Sequence, residues 1–365
     1  MPVSTAGDTQ YWVGFHRVPY IGPTRIDRLI SHFGGLDRAW RASANDLRRV
    51  LDERALESLL AVRAALDLDQ EMARIERAGI AVITRDDADY PRRLAEIPAP
   101  PPVLYLRGTL LPEDDVAVAI VGTRRLTNYG REVATSLAGD LAAAGVTIVS
   151  GLARGIDAVA HQAALAAGGR TIAVLGSGPN VIYPPEHRTL AARITEQGAV
   201  LSDYPPDRKP DAQNFPARNR IIAGLSRGVL VVEAPARSGA LITVDFAADQ
   251  GRDVFAVPGS ILSPASAGCH KLLRDGARPV TCADDILEDL NLNVSRRGEQ
   301  TAVQQALPLE EDERRLLALL TADPQHIDEL AAAANHPIHE IGALLLTMEL
   351  KGLVRNAGAQ HYSRA

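Results

Sequence analysis

From Val116 to Leu290 the chain repeats one pattern: an apolar run, a glycine-rich or polar turn, then a segment with apolar residues at helical spacing. VAVAIVG leads through TRRLTNYG to a helix ending near Ala144, and VTIVSG leads through LARG to IDAVAHQAALAAGG. TIAVLGSG leads through a proline-bounded turn to EHRTLAARITEQG. VLSDYP, GVLVVEA and VFAVPG continue the series. Continuous apolar strands alternating with helices predict an α/β core, a doubly wound parallel sheet covered on both faces in an extended Rossmann-like arrangement. Ahead of it, residues 1–80 read as short helices (TRIDRLISHFGG, ANDLRRVL, DERALESLLAVRAAL), and 81–115 as a proline-rich passage, IPAPPPVLYLRG, into the core. The pattern predicts a helical module over 1–80, a core over 81–290, a linker over 291–307 and a compact module over 308–365. That last module shows three helical segments and a potential hairpin, LVRNAGAQHYSR, which together make a winged-helix pattern.

Composition narrows the function classes. The 365 residues carry a net charge of −6, so any anion site must come from local clustering and not from bulk charge. Lysines are confined to Lys209, Lys271 and Lys351, and the remaining cations are arginines. Two cysteines, Cys269 and Cys282, are too few for a disulfide framework or a zinc site. The N-terminus lacks a secretion-signal pattern, and no apolar run reaches the length of a membrane span. The expectation is a cytoplasmic protein without metal or cofactor.

In a doubly wound sheet, ligands bind beyond the carboxyl ends of the strands. Those turns carry Arg124 and Arg125, Arg154, Arg218 and Arg220, and Arg237, together with Gly122, Gly151, Gly155, Gly176, Gly178 and Gly239. Residues 116–290 hold 17 basic and 17 acidic residues, so the topology gathers cations along one edge of a neutral domain. Small residues at helix starts let backbone N–H groups approach an anion. Spread over at least four loops, the set predicts a phosphate-binding groove. In FPARNRIIAGLS, the apolar IIAGL anchors a helix whose first turn would carry Arg218 and Arg220, with an anion between them and Phe215 offering a face to a base. The alternative is that these arginines pair with Asp203 or Asp207.

Other signals are weaker. His161 and His187 read as structural, Asp157 as the buttress of the SGLARGID turn, and Glu233 as orienting a neighbouring loop or functional. There is no G-x-G-x-x-G after the first strand, no Walker motif, no Ser-His-Asp arrangement and no metal-ligand spacing. Phosphate-binding loops without a visible nucleophile or base point to a binder and not an enzyme.

IVGTRR, SGLARGID, GSGPNVIYPPEHRTL, FPARNRIIAGLS, VVEAPARSGALITVDFA, GRDVFAVPGS and GCHKLLRDGA follow one another over about 160 residues. Together they resemble the DNA-processing protein A (DprA/Smf) family. The resemblance implies a sequence-independent single-stranded DNA-binding protein, with duplex bound more weakly. It would protect incoming strands and load the RecA recombinase during natural transformation and homologous recombination, acting as a homodimer. By motif, the DNA-binding residues it implies are Arg124, Gly151, Arg154, Gly155, Phe215, Arg218, Asn219, Arg220, Ser238 and Gly239, with Lys209 on the approach. His270, Leu272 and Leu273 of CHKLLRDGA are the candidate dimer contact. The chain departs from the family pattern at Asn180, where Asp is frequent, and at His187 and His270, where Asn is frequent.

The terminal modules add less. HRVPYIGPTRIDRLISHFGG resembles a SAM or helix-hairpin-helix module with Tyr20 in place of the usual first glycine, and residues 1–80 are charge-balanced, 11 basic against 11 acidic. Residues 308–365 hold 5 basic and 9 acidic residues, and PIHEIGALLLTMEL has neither Arg nor Lys. Phosphate neutralisation dominates DNA affinity, so this module is expected to contact protein, or to modulate the core, before duplex DNA. A competing reading, a nucleotide-binding hydrolase related to the nucleoside-monophosphate phosphoribohydrolases, needs a glutamate where Thr243 falls. A dinucleotide oxidoreductase is suggested by topology alone.

Overall fold

The computed structural model describes residues 8–292, 311–321, 324–334, 336–350, 353–358 and 360–364. The linker expected over 291–307 lies outside these from residue 293 onward. Residues 1–296 form one compact unit and 297–365 a second.

The first unit is built on nine strands: β1 (Ala81–Thr84), β2 (Val103–Gly108), β3 (Ala117–Val121), β4 (Thr147–Ser150), β5 (Thr171–Leu175), β6 (Ala199–Ser202), β7 (Gly228–Val231), β8 (Asp253–Ala256) and β9 (Arg278–Pro279). Their order is β1-β2-β6-β5-β4-β3-β7-β8-β9. The seven from β6 to β9 run parallel, whereas β2 pairs antiparallel with β6 and β1 antiparallel with β2. Strands β3 to β8 coincide with the six apolar runs. The proline-rich passage, by contrast, contains a buried strand, β2, at Val103, Leu104 and Tyr105. The prolines end just before it, so they punctuate its start without removing a ladder donor.

Period-two alternation divides the core between two faces. Ala117, Ala119 and Val121 pack with the helices Asn214–Leu225 and Ala240–Asp249, while Val118 and Ile120 pack with Asn128–Ala143 and Ile156–Ala166. Six short helices between Thr9 and Arg77 enclose Phe15, Ile26, Leu29, Leu56 and Leu59, a cluster that extends onto Val103 and Tyr105 of β2. In the second unit, helices Glu311–Leu319, Ile327–Ala334 and Ile338–Leu350 pack with a three-stranded sheet of β10 (Gln325–His326), β11 (Val354–Gly358) and β12 (His361–Arg364). Its core includes Leu316, Leu330, Ile341, Leu345 and Met348. This is a winged helix. No helix among the described residues is long and apolar enough to cross a membrane.

Candidate functional site

Strands β3 and β7 are neighbours, and the chain leaves them toward opposite faces, into Asn128–Ala143 and Ala240–Asp249 respectively. Such a switch point opens a crevice beyond the carboxyl ends. A cleft of about 940 Å³ lies there, between Gly122–Arg125, Phe215–Asn219 and Pro235–Ala240.

Buried carboxylates shape its loops. Glu233, just after β7, accepts from the Thr127 N–H at 2.9 Å and the Thr127 hydroxyl at 2.7 Å, and its own carbonyl accepts from the Thr123 N–H at 2.7 Å. It therefore holds the β3 loop and is not free for chemistry. Asp157 accepts from the Gly151 and Ala153 N–H groups at 3.1 and 3.3 Å, buttressing the SGLARG turn. Burial raises the Asp157 carboxyl above the usual range, and the nearby Arg218 opposes that shift. His161 and His187 are structural, the first on the Thr171 hydroxyl at 2.6 Å and the second on the Leu152 carbonyl at 2.9 Å.

Two glycines serve packing and not anion approach. Gly155 has φ +85°, and a Cβ there would lie 2.2 Å from the Thr123 carbonyl oxygen. A Cβ at Gly151 would meet the Arg218 guanidinium at 2.5–2.7 Å. Gly239 differs: a Cβ would meet nothing within 4 Å, leaving open space where the Ala240–Asp249 helix begins. The Ser238 hydroxyl accepts from the Ala240 N–H at 3.3 Å, and the Asn219 side chain donates to the Gly239 carbonyl at 3.4 Å.

The arginines divide into three kinds. Arg218 is only 4% exposed. Its Nη1 donates to the carbonyl of Gly151 at 2.8 Å and to that of Val174, joining the ends of β4 and β5. Burial pushes this guanidinium down to about 10, so it stays charged at neutral pH as a fixed cation under the cleft. Arg220 turns away, bonding the Asp203 carboxylate at 2.8 Å and the Ala99 carbonyl at 3.0 Å. The expected anion between Arg218 and Arg220 is thus corrected. The helix begins at Asn214, placing both residues beyond its first turn, and a spacing of two on a 3.6-residue helix points them to different sides. For Arg220 the carboxylate alternative holds. Arg154 is exposed and paired with Glu186 at 2.5 Å. Arg124, Arg125 and Arg237 are exposed at the cleft and make no ion pair with the described residues.

Phe215 lines the same cleft. The Arg124 guanidinium carbon lies 5.8 Å from its ring centroid, and Tyr183 lies 5.5 Å from it, centroid to centroid. The structure therefore brings Arg124, Phe215, Arg218, Asn219, Ser238 and Gly239 into one cleft. Lys209 and Arg220 line a neighbouring one. Tyr183 was missed by sequence reasoning; the signal was an aromatic residue directly before Pro184 and Pro185 in a strand-end turn. The His270 ring meets the Gly259 carbonyl at 2.9 Å, and Leu272 and Leu273 pack half-buried against the core. Thr243, where the hydrolase reading needs a glutamate, is buried in the cleft wall. No group of three potential metal ligands occurs among the described residues. Chemically, the cleft offers free guanidinium groups, an open helix start and stackable rings, a set suited to a phosphate-linked chain with bases.

Comparison with known proteins follows the same line. The family model for DNA recombination-mediator protein A matches residues 81–291, and the DprA winged helix domain matches 300–359. Protein Smf of Synechocystis is 37% identical over 390 residues, covering 97% of this chain and 98% of that protein. The structure of DNA processing protein A from Streptococcus pneumoniae superposes with a TM-score of 0.69 at 37% identity, over 77% of this chain and 97% of that one. DNA processing protein A from Helicobacter pylori, described as having a unique single-stranded DNA binding mode, gives a TM-score of 0.54 at 29% identity over 59% and 97% of the two chains. With its core and its winged helix both matched, and similarity to relatives along nearly its whole length, the chain belongs to the DNA-processing protein A (DprA/Smf) family.

Proposed function

We propose that this chain binds single-stranded DNA without sequence preference, and that it protects incoming strands and loads RecA recombinase during natural transformation and homologous recombination. It acts in the cytoplasm as a non-enzymatic mediator. The observation that carries the reading is the sheet-end cleft, where Arg124, Arg125 and Arg237, which make no ion pair with the described residues, line the same walls as the Phe215 and Tyr183 rings. Guanidinium groups bind phosphates, and aromatic faces stack bases regardless of sequence. The single-strand binding described for the Helicobacter pylori relative agrees.

In this reading Arg124, Phe215, Asn219, Ser238 and Gly239 contact the strand, while Gly151, Arg154 and Gly155 form its border. Lys209 lies on the approach. Arg218 acts from below as a fixed positive charge, and Arg220 braces the adjoining loop. A homodimer forms through the segment of His270, Leu272 and Leu273, beside a loop on which Ile261 and Leu262 stand 88% and 87% exposed. The His270 ring meets the Gly259 carbonyl at the base of that loop, and Leu272 and Leu273 are partly buried against the core. The test is a gel-shift across a salt series with single-stranded and duplex DNA of one length. Single strands should shift at lower protein concentration and lose affinity steeply as salt rises. Equal affinity for both forms, or a flat salt response, would overturn the reading. RecA loading is checked separately, by whether the protein speeds RecA assembly on coated strands.

A further inference from the structure

The loop from Asp203 to Gln213 separates two clefts. Pro210 and Ala212 line the sheet-end cleft, whereas residues from Asp203 to Asp211 line a second cleft of about 1120 Å³ shared with the N-terminal helices. Arg208 and Lys209 are exposed on this loop and make no ion pair with the described residues.

The loop is held at its tip through Asp207. This residue has φ +67°, a left-handed conformation that few non-glycine residues adopt and that Asp and Asn tolerate best. Asn180 grips it twice: its amide donates to the Asp207 carboxylate at 2.7 Å, and its carbonyl oxygen accepts from the Asp207 N–H at 2.9 Å. An aspartate at position 180 would instead set two carboxylates against each other. The second oxygen of Asp207 pairs with Nη1 of Arg74, on the helix Leu68–Arg77. The rest of the Arg74 guanidinium is fixed by the buried Glu71, at 3.0 and 2.8 Å, and Glu71 is held from its other side by Arg17. The N-terminal helices therefore reach the loop whose Arg208 and Lys209 line the second cleft and whose next residue, Pro210, lines both. An exposed ion pair adds little to stability, but it selects where the loop sits.

We propose that Arg74 is a positioning residue for strand binding: by holding Asp207 it lets the N-terminal helical module set where Arg208 and Lys209 meet the strand. This rests on the single-strand reading above. The test is a double-mutant cycle on the full chain, with a labelled oligothymidylate followed by fluorescence anisotropy. Arg74→Ala and Asp207→Asn should each weaken binding about two- to fivefold. Asp207→Asn tolerates the backbone and leaves the Arg74–Glu71 pair intact, so it guards against a folding defect in Arg74→Ala. In a background carrying Arg208→Ala and Lys209→Ala, neither change should weaken binding further. Unchanged affinity for both variants, or equal losses in both backgrounds, overturns the proposal. So does a background that binds as well as wild type, and in that case weakened binding by Arg124→Ala shows the single-strand reading still standing. If Arg124→Ala also binds like wild type, the reading itself fails and this inference falls with it.

Discussion

Arg124 and Arg218 were equivalent in the sequence, each an arginine in a strand-end motif. In the structure Arg124 stands in solvent near Phe215, while Arg218 is buried on two main-chain carbonyls. Their alanine variants should separate accordingly. Arg124→Ala should weaken strand binding and change stability by less than about 0.5 kcal/mol. Arg218→Ala leaves buried acceptors and Asp157 uncompensated, and should lose about 2–4 kcal/mol in urea unfolding. Similar stability losses for the two variants would contradict the assignment. His161 gives a second test. Burial lowers its imidazole to about 3 from an ordinary 6.5. Between those values the unfolded chain takes up a proton that the folded chain does not, so stability falls as pH falls through that window, by about 1.4 kcal/mol per pH unit. A His161→Gln variant lacks this term. The gap in stability between wild type and variant should narrow at about that rate from pH 6 to pH 4, and parallel unfolding curves would refute the argument. Asp157 was read correctly as the buttress of the SGLARGID turn, and for Glu233 the loop-orienting alternative holds, because each carboxylate is taken up by main-chain N–H groups of a strand-end loop.

At the scale of elements, the strand–turn–helix repeat was legible because strands buried on both faces read as unbroken apolar runs. Strand β2 was not, since a single apolar tetrad after prolines has no periodicity to distinguish it from a loop. The role of the glycines was also hidden: a glycine needed for loop packing and one left open for a ligand look alike in sequence. Gly155→Ala should cost about 2–4 kcal/mol, because its φ and the Thr123 carbonyl both exclude a side chain. Gly239→Ala should keep the wild-type melting temperature and weaken strand binding, since its Cβ would enter only the open cleft. Unchanged affinity for Gly239→Ala would place the strand elsewhere, and a Gly155→Ala protein as stable as wild type would contradict the loop packing.

On the scale of the whole molecule, a negative net charge coexists with cations at two neighbouring clefts that make no ion pair with the described residues. If Arg124, Arg125, Arg237, Arg208 and Lys209 all meet phosphates, the logarithm of affinity against the logarithm of salt should have a slope of about −3 to −4. A slope near −1 would mean that most of them stay in solvent. The winged helix shows that a fold and its charge are separate facts. Its third helix carries no Arg or Lys, and its Ile338 and Leu346 are exposed.

The strand–helix repeat of the core, its parallel sense, the winged helix and the loops that follow the core strands were legible in the sequence. Each follows from periodicity and local chemistry, which are properties of neighbouring residues. Which arginines are free could not be read that way. Arg154, Arg218 and Arg220 are each engaged by groups from distant parts of the chain: Glu186, the carbonyls of Gly151 and Val174, and Asp203 with Ala99. Pairing depends on distance in space, and folding sets that distance by stacking strands far apart in the chain. The same reason explains why Arg74 showed no link to the cleft in sequence: 133 residues separate it from Asp207.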